Sequence, residues 1–207
     1  MSPAELTQGL LAAGYQGCVI TNHFYYGNTG VERSQPWEAF VRPYAEDFAQ
    51  ICACAAPYDL DILFGVEEGV GGGREILCYG FSPEVIAAHP ELRLCSAAQW
   101  HALARETGGL ILQAHPFRSR DYIELRGVLP PAEIDGVEVF NFGNFDRDND
   151  EAAACVATHP AWILISGADA HTADTVGLGG IETDRRIQTN EDLVEVLRSG
   201  QFRVLYT

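Results

Sequence analysis

Lysine is absent from this chain. All thirteen basic residues are arginine, against 29 acidic ones, and the formal net charge is −16. Without lysine there is no Schiff-base chemistry, no phosphate-loop lysine and no kinase-type lysine. The scarcity of cations also argues against broad binding to duplex nucleic acid, which depends on clustered positive charge. No basic residue precedes Arg33, so the basic n-region of a secretory peptide is missing. Long apolar runs are missing too. Stretches such as Ile51 to Ala56 and Trp162 to Ile165 fall far short of the ~20 residues a membrane span needs. Six cysteines (Cys18, Cys52, Cys54, Cys78, Cys95 and Cys155) have irregular spacing, unlike a disulfide-stapled miniprotein. The one close pair, Cys52 and Cys54, lies in a helical Ala/Cys run and reads as small buried thiols rather than a metal clip. These absences lead to the expectation of a cytoplasmic, soluble protein with reduced thiols and no membrane partner.

What is present is a 207-residue chain, 47% hydrophobic, long enough for one well-buried core and short for two. A single domain over 1–207 is therefore expected. Ser2-Pro3-Ala4-Glu5 is a capping box with proline at the first helical position, so a helix starts almost at once. Strands are expected at Cys18–Thr21, Asp61–Phe64, Glu75–Tyr79, Leu110–Gln113, Val137–Phe140, Trp162–Ile165, Gly180–Glu182 and Phe202–Leu205. Helices are expected at Trp37–Ala56, Ser96–Thr107, Asp148–Thr158 and Asn190–Ser199, with a hairpin turn at Gly69–Gly73. Alternating strands and helices with short connectors argue for an α/β layered or barrel fold.

Chemistry-bearing residues follow the buried strands. His23 comes after Cys18–Asn22, Glu67 after Ile62–Val66, His115 after Leu110–Ala114, and Asp169 and His171 after Trp162–Ser166. In parallel α/β folds the carboxyl ends of strands meet on one rim, where sites are built. Three imidazoles and two carboxylates suit Zn²⁺, Mn²⁺ or Fe²⁺. Any one of them alone reads more readily as an ordinary loop residue. His89 and His159, each before a proline, and His101, inside an amphipathic helix, are read as structural or solvated.

The ordered segments Thr21-Asn22-His23, Gly65-Val66-Glu67, Gln113-Ala114-His115-Pro116-Phe117-Arg118, Gly136-Val137-Glu138-Val139-Phe140-Asn141 and Gly167-Ala168-Asp169-Ala170-His171 resemble the successive motifs of the polymerase-and-histidinol-phosphatase (PHP) domain of metal-dependent phosphoesterases. The resemblance runs from near residue 2 to the C-terminus. It implies a distorted β/α barrel, seven-stranded in the family, with up to three divalent ions (Zn, Mn or Fe) on its C-terminal rim. By the same resemblance His23 and His171 ligate one metal. Glu67 bridges the other two, with His115 on one and Asp169 on the other, and Glu67, His115 and Asp169 form the catalytic set. Glu75 aligns where the family often has a histidine and is either an oxygen donor or a turn residue. Glu138 and Asn22 stand behind the ligands. Arg118 is the expected phosphate grip, its guanidinium fork matching phosphate, with Arg120 as the alternative.

The resemblance also marks a departure. The family opens with a strand carrying His-x-His, and no histidine precedes His23 here. Three explanations stay open: a strand upstream of Met1, a natural variant with fewer metals, or a relic that folds without turnover. Each leaves an unpaired edge beside the Cys18–Thr21 strand, for which a homodimer or disorder near that edge is expected. The expected function is metal-dependent hydrolysis of a small phosphoester, a phosphorylated metabolite or nucleotide, and not of a long nucleic acid. The alternative is a catalytically impaired metal-binding module.

Overall fold

The computed structural model describes residues 1–206. Six strands form one curled, half-barrel sheet in chain order: β1 (Gly17–Ile20), β2 (Asp61–Gly69), β3 (Glu75–Tyr79), β4 (Leu110–Gln113), β5 (Gly136–Asn141) and β6 (Ile163–Gly167). Pairing is parallel for β1 with β2, β4 with β5 and β5 with β6, whereas β3 runs antiparallel to both neighbours. The sheet is therefore mixed, and that single reversal matters for the site. A second pair, β7 (Gly180–Glu182) and β8 (Arg203–Leu205), is antiparallel. It hangs on β6 through Ser166, whose Oγ meets the carbonyls of Gly180 (2.8 Å) and Leu205 (2.6 Å).

The helices are α1 (Pro3–Ala12), α2 (Trp37–Ala55), α3 (Pro83–Ala88), α4 (Ala97–Thr107), α5 (Asp146–Val156) and α6 (Asn190–Ser199). The Ser2–Glu5 capping box starts α1, and Leu6, Thr7 and Leu10 form its buried stripe. Ser82 caps α3 by accepting the Val85 N–H, a short helix that the sequence reading does not contain. Helix α5 starts two residues before the expected Asp148, because that aspartate occupies the third helical position and accepts the Phe145 N–H.

Strand alternation sorts the core into two sides. Phe64, Val66, Ile76, Cys78 and Ile111 face helices α2, α3 and α4, packing with Phe24, Phe40, Phe81 and Trp100. Leu63, Leu77, Leu110, Leu112 and Ile165 face inward, against Leu193 and Leu197 of α6. A cavity of about 950 Å³ opens between β1 and β6, the two outer strands of the curl. Among the described residues no helix is long and apolar enough to cross a membrane. All six cysteines are free; Cys52 and Cys54, expected as buried thiols, are half-buried.

Candidate metal centre

Strand β2 is longer than the expected Asp61–Phe64 because it pairs with β3 as far as Gly69 and Glu75. The turn between them places Gly71, Gly72 and Gly73 at φ +93°, +66° and +78°, conformations open to glycine at no steric cost. Glu67 therefore lies inside a strand rather than after one. It shares the inward face with Leu63, and Glu75 shares the inward face of β3 with Leu77. Because β3 is reversed, its first residue, Glu75, arrives at the rim where the parallel strands end.

His23 reaches the same point from beyond β1 through a parallel bridge to Glu67. Its backbone is held by the Phe24 N–H donating to the Glu67 carbonyl at 2.7 Å and by the Tyr44 hydroxyl donating to the His23 carbonyl at 2.9 Å. Glu68, buried on the opposite face of β2, accepts the Tyr25 and Tyr26 N–H groups and fixes the chain just after His23. Burial pushes the Glu68 carboxyl up to about 7, against those donors.

Four side chains close a box. Glu67 Oε2 and Oε1 stand 3.2 Å from His23 Nδ1 and 3.3 Å from His115 Nε2. Glu75 Oε1 and Oε2 stand 3.4 Å from His23 Nδ1 and 3.3 Å from His115 Nε2. Each carboxylate spans both imidazoles. His115 sits at φ +27°, a left-handed conformation that costs a non-glycine residue about 1–3 kcal/mol. It is retained by Glu138, whose Oε2 accepts the His115 N–H at 2.8 Å. Glu138 in turn needs Gly167, where a Cβ would lie 2.2 Å from Glu138 Oε1.

The carboxylates and imidazoles of the box shift one another. The His23 imidazole is raised chiefly by the Glu75 carboxylate beside it. Burial pushes the His115 imidazole down, but Glu67 and Glu75 outweigh that and hold it up. Burial likewise raises Glu75, and the two imidazoles pull it well below the usual carboxylate range. His23 Nδ1 is buried with no aligned hydrogen-bond partner, although two carboxylate oxygens stand beside it. An orphaned imidazole nitrogen facing two carboxylates is the donor set of a divalent cation, and His23, Glu67 and Glu75 converge closely enough to share one ion.

The remaining expected residues have partners of their own. Asp169, at φ +49°, forms an ion pair with Arg118 Nη2. Burial raises the Asp169 carboxyl, but Arg118 outweighs it and holds the group low. Arg118 is buried and pinned: Nε donates to Asn144 Oδ1 at 2.9 Å and Nη2 to Asn141 Oδ1 at 2.7 Å. Glu67 lies between His23 and His115, and Asp169 Oδ1 stands 3.5 Å from His171 Nδ1. His171 places its ring centroid 6.0 Å from that of His23, with its side chain 69% exposed. Asn22 Nδ2 donates to Asp47 Oδ2 of α2 at 2.8 Å and so turns away from the imidazoles. Asn141, the last residue of β5, is quoted in the resemblance without a role, and Asn144 is absent from the sequence reading; its only signal is its place just after β5, the strand of Glu138.

The remaining histidines lie elsewhere. His101 is buried against Asp135, His89 meets Glu91, and His159 stacks on Trp162.

A family model described as PHP-associated matches residues 146–202. Among solved structures, PsfC from Pseudomonas syringae PB-5123 superposes with a TM-score of 0.67 at 15% identity, over 98% of this chain and 82% of that one. A Bifidobacterium adolescentis protein assigned to the metal-dependent phosphoesterases superposes with a TM-score of 0.56 at 14% identity, over 95% of this chain and 90% of that one. At these identities the likeness is one of fold. A tRNA (pseudouridine(54)-N(1))-methyltransferase of Pyrobaculum aerophilum is 33% identical over 114 residues, 52% of this chain and 81% of that protein.

Proposed function

We propose that this chain is a PHP-type phosphoesterase that hydrolyses small phosphate esters with the help of divalent metal ions, a reading supported by the PHP-associated match and the likeness of fold. The observation that carries the reading is the box itself, two carboxylates that each span the same two imidazoles. When bound, such ions draw a nucleophile from water at neutral pH and neutralise charge on the phosphoryl oxygens. His23, Glu67, Glu75 and His115 would hold them. Glu138 keeps His115 in its left-handed conformation, and Glu68 keeps the chain after His23 in place. Asp169 and His171 stand at the margin, where they complete the set or meet the substrate. Arg118, rigidly oriented by Asn141 and Asn144, presents the positive charge nearest the acidic cluster and suits a phosphate. The net charge of −16 favours a small ester over a long polyanion.

Methyl transfer, in the name of the Pyrobaculum relative, is a second reading. It rests on a match to 52% of this chain, whereas the PsfC superposition spans 98% of it. The experiment is metal content per chain by elemental mass spectrometry after Mn²⁺ or Zn²⁺ loading and desalting, followed by a panel of phosphate esters and amides. About two retained ions, as a metal-pair mechanism needs, with phosphate released from esters are expected. Retained metal without release marks a binding module instead, and turnover confined to amides assigns a different hydrolase.

A further inference from the structure

Asn141, the last residue of β5, is 2% exposed and touches both halves of the site. Its place there depends on an irregularity in the strand. Glu138 pairs with Ile165 and Phe140 with Ser166, so Val139 is an extra residue, a bulge. Strict alternation would send side chains three residues apart to opposite faces. The extra residue resets the alternation, and Asn141 shares the face of Glu138. Asn141 Nδ2 donates to Glu138 Oε2 at 2.8 Å, the same oxygen that accepts the His115 N–H. On its other side, Asn141 Oδ1 accepts Arg118 Nη2 at 2.7 Å and the Gly143 N–H at 2.9 Å. The backbone is clamped as well. Asn149 of α5 accepts the Asn141 N–H and donates to the Asn141 carbonyl, both at 3.1 Å.

These partners call for a carboxamide. A guanidinium and a backbone N–H only donate, so the atom facing them must accept; Glu138 accepts, so the atom facing it must donate. An apolar side chain would leave both sides unanswered. Asn144 differs in one respect. Its Oδ1 accepts Arg118 Nε at 2.9 Å and its Nδ2 donates to Asn149 Oδ1 at 3.0 Å, so its amide is engaged on the guanidinium side alone. We infer that Asn141 is a positioning residue that ties the metal centre to the phosphate grip: one amide fixes His115 through Glu138 and orients Arg118, so that metal affinity and phosphate affinity both depend on it. The inference rests on the phosphoesterase reading and goes beyond it, to what joins the two halves of the site.

The test measures two affinities by calorimetry, that of the protein for Mn²⁺ and that of the Mn²⁺-loaded protein for inorganic phosphate. Asn141→Leu is expected to lower Mn²⁺ affinity roughly 10- to 100-fold, as loss of support behind a metal ligand does. It should also lower phosphate affinity about tenfold, the worth of a charge-assisted contact. Asn144→Ala is expected to lower phosphate affinity alone, a split that general loosening of the turn would not produce. Adding Asn141→Leu to Arg118→Ala should bring no further loss of phosphate affinity, because the effect passes through that guanidinium. Asn149→Ala frees the Asn141 backbone from α5 and should weaken Mn²⁺ binding in the same direction, which keeps the test decisive if Asn141→Leu does not fold. Unchanged Mn²⁺ affinity in Asn141→Leu, or in Asn149→Ala where that variant alone folds, overturns the inference. So does a phosphate loss that adds to that of Arg118→Ala, or a native protein without phosphate affinity. The expected pattern of affinities with no ester cleaved sinks the hydrolase reading and leaves Asn141 in its role.

Discussion

Glu67 and Glu75 occupy equivalent places between His23 and His115, each presenting one oxygen to either ring. The two carboxylates are thus expected to matter equally for metal. Glu67→Gln and Glu75→Gln should each weaken Mn²⁺ binding by at least the ~10–100-fold that supporting groups around a metal typically contribute, read by calorimetry. Retention of native affinity by Glu75→Gln would mean that Glu75 only leans on the imidazoles and does not hold the metal. Arg118 differs in kind, because its charge is already matched by Asp169. Removing it with Arg118→Ala should raise KM for phosphate esters about tenfold or more, the worth of a charge-assisted contact, with metal content kept. Loss of metal in that variant would assign Arg118 to holding Asp169 in place.

At the scale of elements, Asp148 ties the loop after His115 to helix α5. Its fully buried carboxylate accepts the Ser119 N–H at 3.0 Å, the Ser119 hydroxyl at 2.7 Å and the Phe145 N–H, with Arg126 alongside. Burial raises this carboxyl, but the Ser119 and Phe145 donors and the Arg126 charge outweigh it, so the folded group titrates below its ordinary value. A depressed folded pKa stabilises the fold above the unfolded pKa of ~3.9 and loses that contribution as pH falls through the folded value. Asp148→Asn is expected to lower stability by about 1–3 kcal/mol at pH 7, and the difference from native should shrink below about pH 4. Urea unfolding at both pH values measures it; a gap independent of pH would refute the linkage.

Over the whole molecule, the half-barrel leaves β1 paired on one side only among the described residues, with the cavity of about 950 Å³ next to it. An unpaired strand edge is a template for pairing with another chain. The expectation is a homodimer joined along β1, with a doubled mass in size-exclusion chromatography with light scattering. A clean monomer at high concentration would show that β1 is too short or too well covered by α1 to pair.

Much of this was legible before any coordinates. Capping boxes, glycine turns and two- or three-residue apolar spacing are local signals, and they placed most elements within a residue or two. Helix α3 was missed although Ser82-Pro83 repeats the Ser2-Pro3 start of α1, because six residues hold too little periodicity to announce a helix. The sequence by itself determined the order of strands and helices and the set of donors available, since apolar patterning and residue chemistry are local properties. Only the tertiary structure decided how those donors are shared. The reversed direction of β3 brings Glu75 to the rim, and Arg118, from the loop after His115, ion-pairs with Asp169, from the loop after β6. Both outcomes depend on which strands neighbour each other and on backbone turns at His115 and Asp169, long-range consequences of packing that no local pattern encodes.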